Sequence, residues 1–450
     1  NTNNASTSDV YIYNSTIKFN NNCDACGTSN GLFTFDVNTM GDIRIIDSEI
    51  NSTHFQYSKI ELEGSDIWIS NSTLWSGTKY DGSGCYGCYS YDSTSELYIY
   101  GGDLEVADSI LVSWSKATSL HSGNHYYRHK IYNYVEFEVD EFTISDSKLI
   151  STSYINHFYG NNQDYRNIVS DFDIVSSDFS IDNSTIRSEI LEPLYLGSCN
   201  CHVDPYFDII VEGDLDITDS FVGLEEWIDN YGNGNIEIRE TNYTLNVLDS
   251  TLRSGIFACY DSAAGCNSTY YNSKANIRNS TLYYIYYLYQ MSDFNLHNSA
   301  VGNGGGGTLK ITSVNTTISG GKIHGMTYID SRTIKITDMA KLHGLEDHPN
   351  VFNPSNHVTI HNVTLTDVID LEQSGGSLDF TNSTCSSWAR ISHDYVNMTN
   401  VSFASDLNLL SASNHAHLNN VTLGAQLRGT VNDLRLEDVD TGHGSGTLRA

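Results

Sequence analysis

With 39% apolar side chains and 35 glycines in 450 residues, the chain is apolar enough to bury a core, which argues against disorder along its whole length. Its 55 acidic and 23 basic residues leave a net charge of −32, which argues against nucleic acid and anionic membranes as partners. No run of 18 apolar residues occurs, so no membrane span is expected.

Proline is scarce, with 4 residues, and tyrosine is abundant, with 30, a balance that suits paired strands. Length alone would suggest about three domains, but internal repetition overrides that prior. The chain starts at Asn1 and reads as a mature product from which a signal peptide has been removed.

Taken in chain order, one short pattern recurs. An alternating run ends in Asn or Asp, then usually Ser or Val, one further residue and an apolar residue. It reads DVYIYNSTI, GDIRIIDSEI, SDIWISNSTL, GDLEVADSIL, DEFTISDSKL, SDFSIDNSTI and GDLDITDSFV, then continues through TLNVLDSTL, ANIRNSTL, SDFNLHNSAV, HVTIHNVTL and HLNNVTL. Its 17 landmark positions are Asn14, Asp47, Asn71, Asp108, Asp146, Asn183, Asp219, Asp249, Asn279, Asn298, Asn315, Asp338, Asn362, Asn382, Asn400, Asn420 and Asp438. Up to Asn279 they lie about 33 residues apart, and beyond it about 20. Residues 1–290 therefore read as coils with long loop insertions and residues 291–450 as bare coils, continuous in one solenoid.

Alternation sends every second side chain inward. Ile67, Ile69 and Leu74 are expected inside, with Asp66 and Ser70 outside. Asn or Asp suits a bend because it tolerates left-handed backbone and bonds its own main chain. One such coil cannot bury its apolar face alone, and stacking buries it. A series of antiparallel sandwiches also shows short strands between turns, but it would not repeat one bend motif down the chain.

The ladder resembles that of secreted right-handed parallel β-helix proteins, among them microbial surface and adhesin-like proteins, viral tailspikes and polysaccharide lyases or hydrolases. The resemblance implies an all-β fold, a right-handed parallel β-helix of about 17 coils. In its acidic, Tyr- and Asn-rich style the chain also resembles archaeal sheath, surface-layer and filament proteins.

Eight of the nine cysteines form tight local pairs, Cys23/Cys26, Cys85/Cys88, Cys199/Cys201 and Cys259/Cys266, read as disulfides in an oxidising compartment. Two CxxC pairs would also suit zinc, but 58 residues separate Cys26 from Cys85 and no His has ribbon-like spacing. Cys385 is left over as a candidate intermolecular thiol. Glycosylation sequons stand at Asn4, Asn14, Asn51, Asn71, Asn183, Asn242, Asn267, Asn279, Asn315, Asn362, Asn382, Asn397, Asn400 and Asn420. Many of them coincide with the bend motif, which selects the same residue types.

The enzymatic signatures of the resembling families are incomplete. Gly442-His443-Gly444 lacks its carboxylate pair and later basic triplet, and Asp204-Pro205-Tyr206-Phe207-Asp208 lacks the His of an epimerase-like motif. His121, His125 and His129 fall four apart but in an insertion, where solvated loop histidines are expected. Turns such as Tyr80-Asp81-Gly82 are the candidates for calcium. Otherwise no metal or cofactor is expected. The Tyr-rich run Leu282 to Met291 reads as a packed coil, a subunit contact or a sugar platform.

The expected function is an extracellular structural protein, not an enzyme, that assembles with itself into a sheath, surface layer or filament at the cell surface. Its partners would be further copies and covalent N-glycans. The alternative is a polysaccharide lyase or hydrolase, or a carbohydrate-binding adhesin, for which a wall of carboxylates and aromatics would be the mark.

Overall fold

A computed structural model describes residues 8–20, 32–54, 56–81, 90–119, 128–157, 165–191, 200–225, 233–239, 242–258, 272–284, 286–302, 308–347, 356–371, 375–410 and 414–441. The chain divides into two compact units, Asn1–Glu237 and Ile238–Ala450. The change in repeat length near residue 290 lies inside the second unit. Among the described residues there is no helix, and the strand pairing is parallel. Among the described residues no helix is long and apolar enough to cross a membrane.

In the N-terminal unit, strands pair with strands one repeat away rather than with their neighbours in the chain. Val10–Tyr13, Ile43–Ile46, Ile67–Ser70 and Leu104–Ala107 form one such stack. Thr16–Asn20, Glu49–His54, Thr73–Asp81 and Ile110–Ser119 form a second. Leu32–Asn38, Tyr57–Glu63, Ser90–Tyr100, Arg128–Ser145 and Tyr165–Asp182 form a third. This is the solenoid-like pattern that the repeat implies. The C-terminal unit does the same with shorter repeats, as where Tyr395 lies beside His415 and His415 beside Asp433.

Alternation fills the core as expected. Ile67, Ile69 and Leu74 are fully buried, and Ile67, Leu104, Phe142, Phe179 and Leu215 form one column of like positions. Each such side chain contributes about 1.5–3 kcal/mol on leaving water. Phe142 and Phe179 stack with ring centres 4.5 Å apart and planes 11° apart.

The bends explain the repeated Asn and Asp. Sixteen of the landmark residues have φ between 43° and 57°, the left-handed region. Most L-residues pay about 1–2 kcal/mol there, and Asn and Asp pay less. Their side chains also stack: the amide of Asn71 donates to Asp47 at 2.6 Å, that of Asn362 to Asp338 at 2.8 Å, and that of Asn400 to Asn382 at 3.0 Å.

The serine after the bend has its own reason. The N–H groups of Ser15, Ser48, Ser72, Ser109 and Ser147 donate to the hydroxyl of the serine one rung on, at 2.9–3.2 Å. Those accepting hydroxyls donate to the carbonyl two residues back, at 2.6–2.7 Å. A buried backbone donor is thereby satisfied at each rung.

One landmark is corrected. Asn315 lies inside the strand Leu309–Ser319, and the bend of that rung is Gly320, with φ 67°. The N–H of Asn298 donates to the Ser319 carbonyl and that of Gly320 to Thr337, the pattern made by bend residues elsewhere. Gly321, at φ 74°, follows it, and a Cβ there would lie 2.1 Å from the Ser299 oxygen. Glycine meets both demands by having no side chain, so the Asn-based pattern misplaced this bend.

The bends make a direct prediction. Asn400→Ala should cost about 1–2 kcal/mol, from left-handed strain and the lost amide bonds to Asn382 and from Asn420. Asn400→Gly should cost clearly less, since it loses only the bonds. Urea unfolding of both variants checks the order, and equal losses would contradict it.

Candidate functional site

The third stack of the N-terminal unit carries two outward columns of ionisable and aromatic side chains. One runs Lys59, Glu96, Tyr134, Asp171, and the other Glu61, Tyr98, Glu136, Asp173. Asp208, in the strand Asn200–Val211, sits beside Asp173 and extends the second. Tyr57 and Tyr132 flank the first column, and Tyr100 and Glu138 flank the second. Alternation places them: Leu97, Ile99, Val135, Phe137, Phe172, Ile174 and Phe207 lie between them and are buried. The apolar floor fixes the register, and each polar neighbour must then face outward.

The wall is hydrogen-bonded within itself. The Tyr57 hydroxyl donates to the Glu96 carboxylate, and the Tyr100 hydroxyl donates to Glu136 at 3.1 Å. Lys59 pairs with Glu61 at 2.7 Å, and its ammonium also lies 4.8 Å from the centre of the Tyr98 ring. The Tyr132 and Tyr134 rings are 6.1 Å apart and 10° from parallel.

Partial burial and crowded charge shift the groups here. Burial pushes the Glu96 carboxyl up, against the opposing bonds from Tyr57 and the Lys59 charge. Burial also raises Asp171, helped by the charges of Asp208 and Glu136. Asp208 is raised by burial, opposed by a bond from Asn235 and helped by the Glu237 charge. The Tyr57, Tyr98, Tyr100 and Tyr134 hydroxyls are all pushed up, by burial first and by nearby charge. Perturbed groups gathered on one solvent-facing surface are a physical mark of a functional site. No family model, curated protein or solved structure matches the chain.

Most of the sequence-predicted positions lie outside the wall. Cys23, Cys26, Cys85, Cys88, Cys199, Cys259 and Cys266 lie outside the described residues, and the backbone of Cys201 falls in the strand Asn200–Val211. Cys385 departs from its expected role. It is 1% exposed, among core side chains, and burial raises its thiol pKa, so the folded chain does not present it for an intermolecular bond. Cys385 should resist an alkylating reagent in the native protein and react after denaturation, as read by peptide mapping. Rapid native labelling would contradict the placement.

Among the sequons, Asn14, Asn71, Asn183, Asn242, Asn279, Asn315, Asn362, Asn382, Asn397, Asn400 and Asn420 are exposed, and Asn51 is half-buried. Asn4 and Asn267 lie outside the described residues, as do His121, His125, Gly82 and Gly442-His443-Gly444. Asp204 through Asp208 falls in the wall's last strand, where Tyr206 is exposed. Among the described residues no three His, Cys, Asp or Glu side chains converge as metal ligands would.

In the Tyr-rich run, Tyr286 is fully buried and its hydroxyl donates to the Ser254 carbonyl at 3.1 Å. Tyr287 and Tyr328 flank the Lys310 ammonium, with ring centres at 4.8 and 5.5 Å. The run is thus used largely in packing.

The wall was missed in the sequence, although a signal existed. Glu61, Tyr98, Glu136 and Asp173 each stand ten residues before their bend, at Asn71, Asp108, Asp146 and Asn183. Counting backward from the bends aligns the column that the insertions hide.

Proposed function

We propose that the protein is an extracellular surface protein, a right-handed parallel β-helix of about 17 coils, that binds carbohydrate through the tyrosine–carboxylate wall of its N-terminal unit. The wall carries this reading. Ring faces suit the apolar side of a sugar, and carboxylates accept bonds from its hydroxyls. Carboxylates recur on all five rungs, about 4.8 Å apart, and rings on the rungs of Tyr57, Tyr98 and Tyr134, so an extended glycan can meet similar contacts along its length. The stacked bends, serine ladder and apolar columns support a rigid scaffold for such a wall. Exposed sequons on the bends are the proposed attachment points for N-glycans.

Self-assembly into a sheath, layer or filament is the second reading. It is favoured by the exposed apolar groups Tyr11, Tyr13, Leu32 and Leu436. Retention on insoluble polysaccharides, with electron microscopy of the same material, separates the two. The first reading predicts retention that falls roughly three- to tenfold in Tyr98→Ala and Tyr134→Ala, as expected for an aromatic contact of about 1 kcal/mol. Ordered polymers without retention would favour the second. Discrete particles that bind nothing would remove both. Release of soluble sugar during the assay would move the reading to a hydrolase or lyase.

A further inference from the structure

We infer that copies of the chain join head to tail, the strand Asp433–Thr441 of one copy pairing in parallel with the strands Val10–Tyr13 and Thr16–Asn20 of the next. The inference rests on the self-assembly reading above, is independent of the carbohydrate one, and names the contact.

Among the described residues these strands are edges. Val10–Tyr13 pairs only with Ile43–Ile46, Thr16–Asn20 only with Glu49–His54, and Asp433–Thr441 only with His415–Leu423. Each presents main-chain N–H and C=O groups on its far side, a template for a further strand. The inward side chains are open to match. Val10, Ile12, Ile17 and Leu434 are half-buried and Leu436 is 38% exposed, whereas Ile43, Ile45, Ile50, Leu418 and Leu423, one rung further in, are fully buried.

Register selects a second copy as the occupant. Aligning the bends sets Asp438, at φ 49°, beside Asn14, at φ 43°. Each ladder of the solenoid then continues across the junction. Within the chain, the amide of a later bend donates to the bend before it, as Asn362 does to Asp338 at 2.8 Å. Asn14 is the donor and Asp438 the acceptor in that same order. The N–H after a bend donates to the hydroxyl one rung on, as Val363 does to Ser383 at 3.0 Å. Val439 would meet Ser15, whose hydroxyl already donates to the Tyr13 carbonyl at 2.7 Å, as its counterparts do. The Asp five residues before a bend accepts from the N–H of its counterpart, as Asp9 does from Asp42 at 3.2 Å. Asp433 can accept from Asp9 in the same way. Leu434 then covers Val10, and Leu436 covers Ile12.

The charges agree with this register. Arg44 stands directly beside Tyr11, its guanidinium carbon 5.8 Å from the ring centre. Arg435 falls beside the same ring from the other side. Each arginine pairs with an acid two residues away on its own strand or its approach, Arg44 with Asp42 and Arg435 with Glu437. Lys18 reaches diagonally to Glu49, the partner of Thr16, at 2.9 Å. Asp440 takes the equivalent diagonal place on the far side of Thr16. A head-to-head or tail-to-tail contact would run the coils in opposite directions and lose these ladders. A head-to-tail contact leaves a free head and a free tail, so it propagates. The net charge of −32 opposes it, and salt screens that repulsion.

Sedimentation velocity of the full chain tests the contact. The wild type should give species that grow with concentration and with added salt. Ile12→Lys closes one edge and Leu436→Lys the other, by placing a charge at an inward edge position. Each variant alone should sediment as a monomer. Mixed in equal amounts they should form a dimer and nothing larger, through the one head and one tail left open. Asn14→Asp keeps a residue suited to the bend, as Asp47 shows, but sets two carboxylates together. It should weaken association roughly tenfold, and adding Asp438→Asn should restore it, which a merely unfolded edge would not allow. Dimers formed by either blocked variant alone would show a symmetric contact and overturn the inference. Polymers that survive both substitutions would overturn it and leave self-assembly standing. A wild-type chain that stays monomeric at high salt and concentration would remove the self-assembly reading as well. Slow hydrogen exchange at Asp433–Thr441 in that monomer would assign the edge to another segment of the same chain.

Discussion

Phe179→Ala should destabilise the N-terminal unit by about 3–5 kcal/mol. The side chain is 2% exposed and stacks on Phe142 at 4.5 Å, in a column whose adjacent rung carries Leu215. Truncation removes the transfer energy of a whole ring and leaves a cavity that stacked β-rungs have little freedom to close. The lost ring pair adds about 0.5–1.5 kcal/mol, included in that range. Phe179→Leu should cost much less, because Leu104 and Leu215 already occupy equivalent positions in the same column. Urea unfolding of the two variants reads the difference, and hydrogen exchange should place the weakening on the rungs flanking residue 179. A loss below about 1 kcal/mol for the alanine variant would contradict a tightly stacked core at this point.

Acidification should weaken the C-terminal unit by up to about 3 kcal/mol, through His393. This side chain is fully buried, and its Nε2 lies 2.8 Å from Asn356 Oδ1. Burial pushes its pKa down from 6.5 to about 4, with the His357 charge adding to the effect. A histidine depressed in the folded state stays neutral there while the unfolded chain takes up the proton. Stability therefore falls as the pH drops below about 6.5 and stops falling below about 4. His393→Gln keeps a donor for Asn356 and removes the titration, so its stability should be flatter over the same window. The N-terminal wall should respond with the opposite sign. Glu96, Asp171 and Asp208 have raised folded pKa values, so protonation relieves the folded state and adds stability as the pH falls through them. Denaturant titrations from pH 7 to pH 4, followed by pulse proteolysis of peptides from each unit, would show the two slopes. A C-terminal unit with unchanged stability across that range would contradict the burial of His393.

Much of the fold was legible because one physical demand recurs. A left-handed bend accepts few residue types, so Asn14, Asn183 and Asn420 announce the same geometry from very different contexts. Inward Ile and Leu in alternation announce the floor beneath it. Gly320 was not legible because glycine satisfies the bend without the Asn-Ser signature, and Asn315 nearby imitated that signature. The wall was hidden for another reason. Tyr98, Glu136 and Asp173 lie 37 or 38 residues apart in sequence, and insertions of unequal length separate their rungs. Only pairing across rungs brings a tyrosine beside one glutamate and near another. Cys385 looked available because it had no partner in sequence, whereas its inward alternation with Ser383 and Thr384 decided its fate.

The most direct test of the central claim is carboxyl footprinting of the native chain with and without a bound oligosaccharide. The account predicts protection concentrated on Glu61, Glu96, Glu136, Asp171 and Asp208, in the strands from Tyr57–Glu63 to Asn200–Val211. The outward carboxylates of the C-terminal unit, such as Asp379 and Asp433, should label equally in both states. Protection confined to the C-terminal unit, or spread evenly over both, would contradict the assignment of the wall as the binding surface.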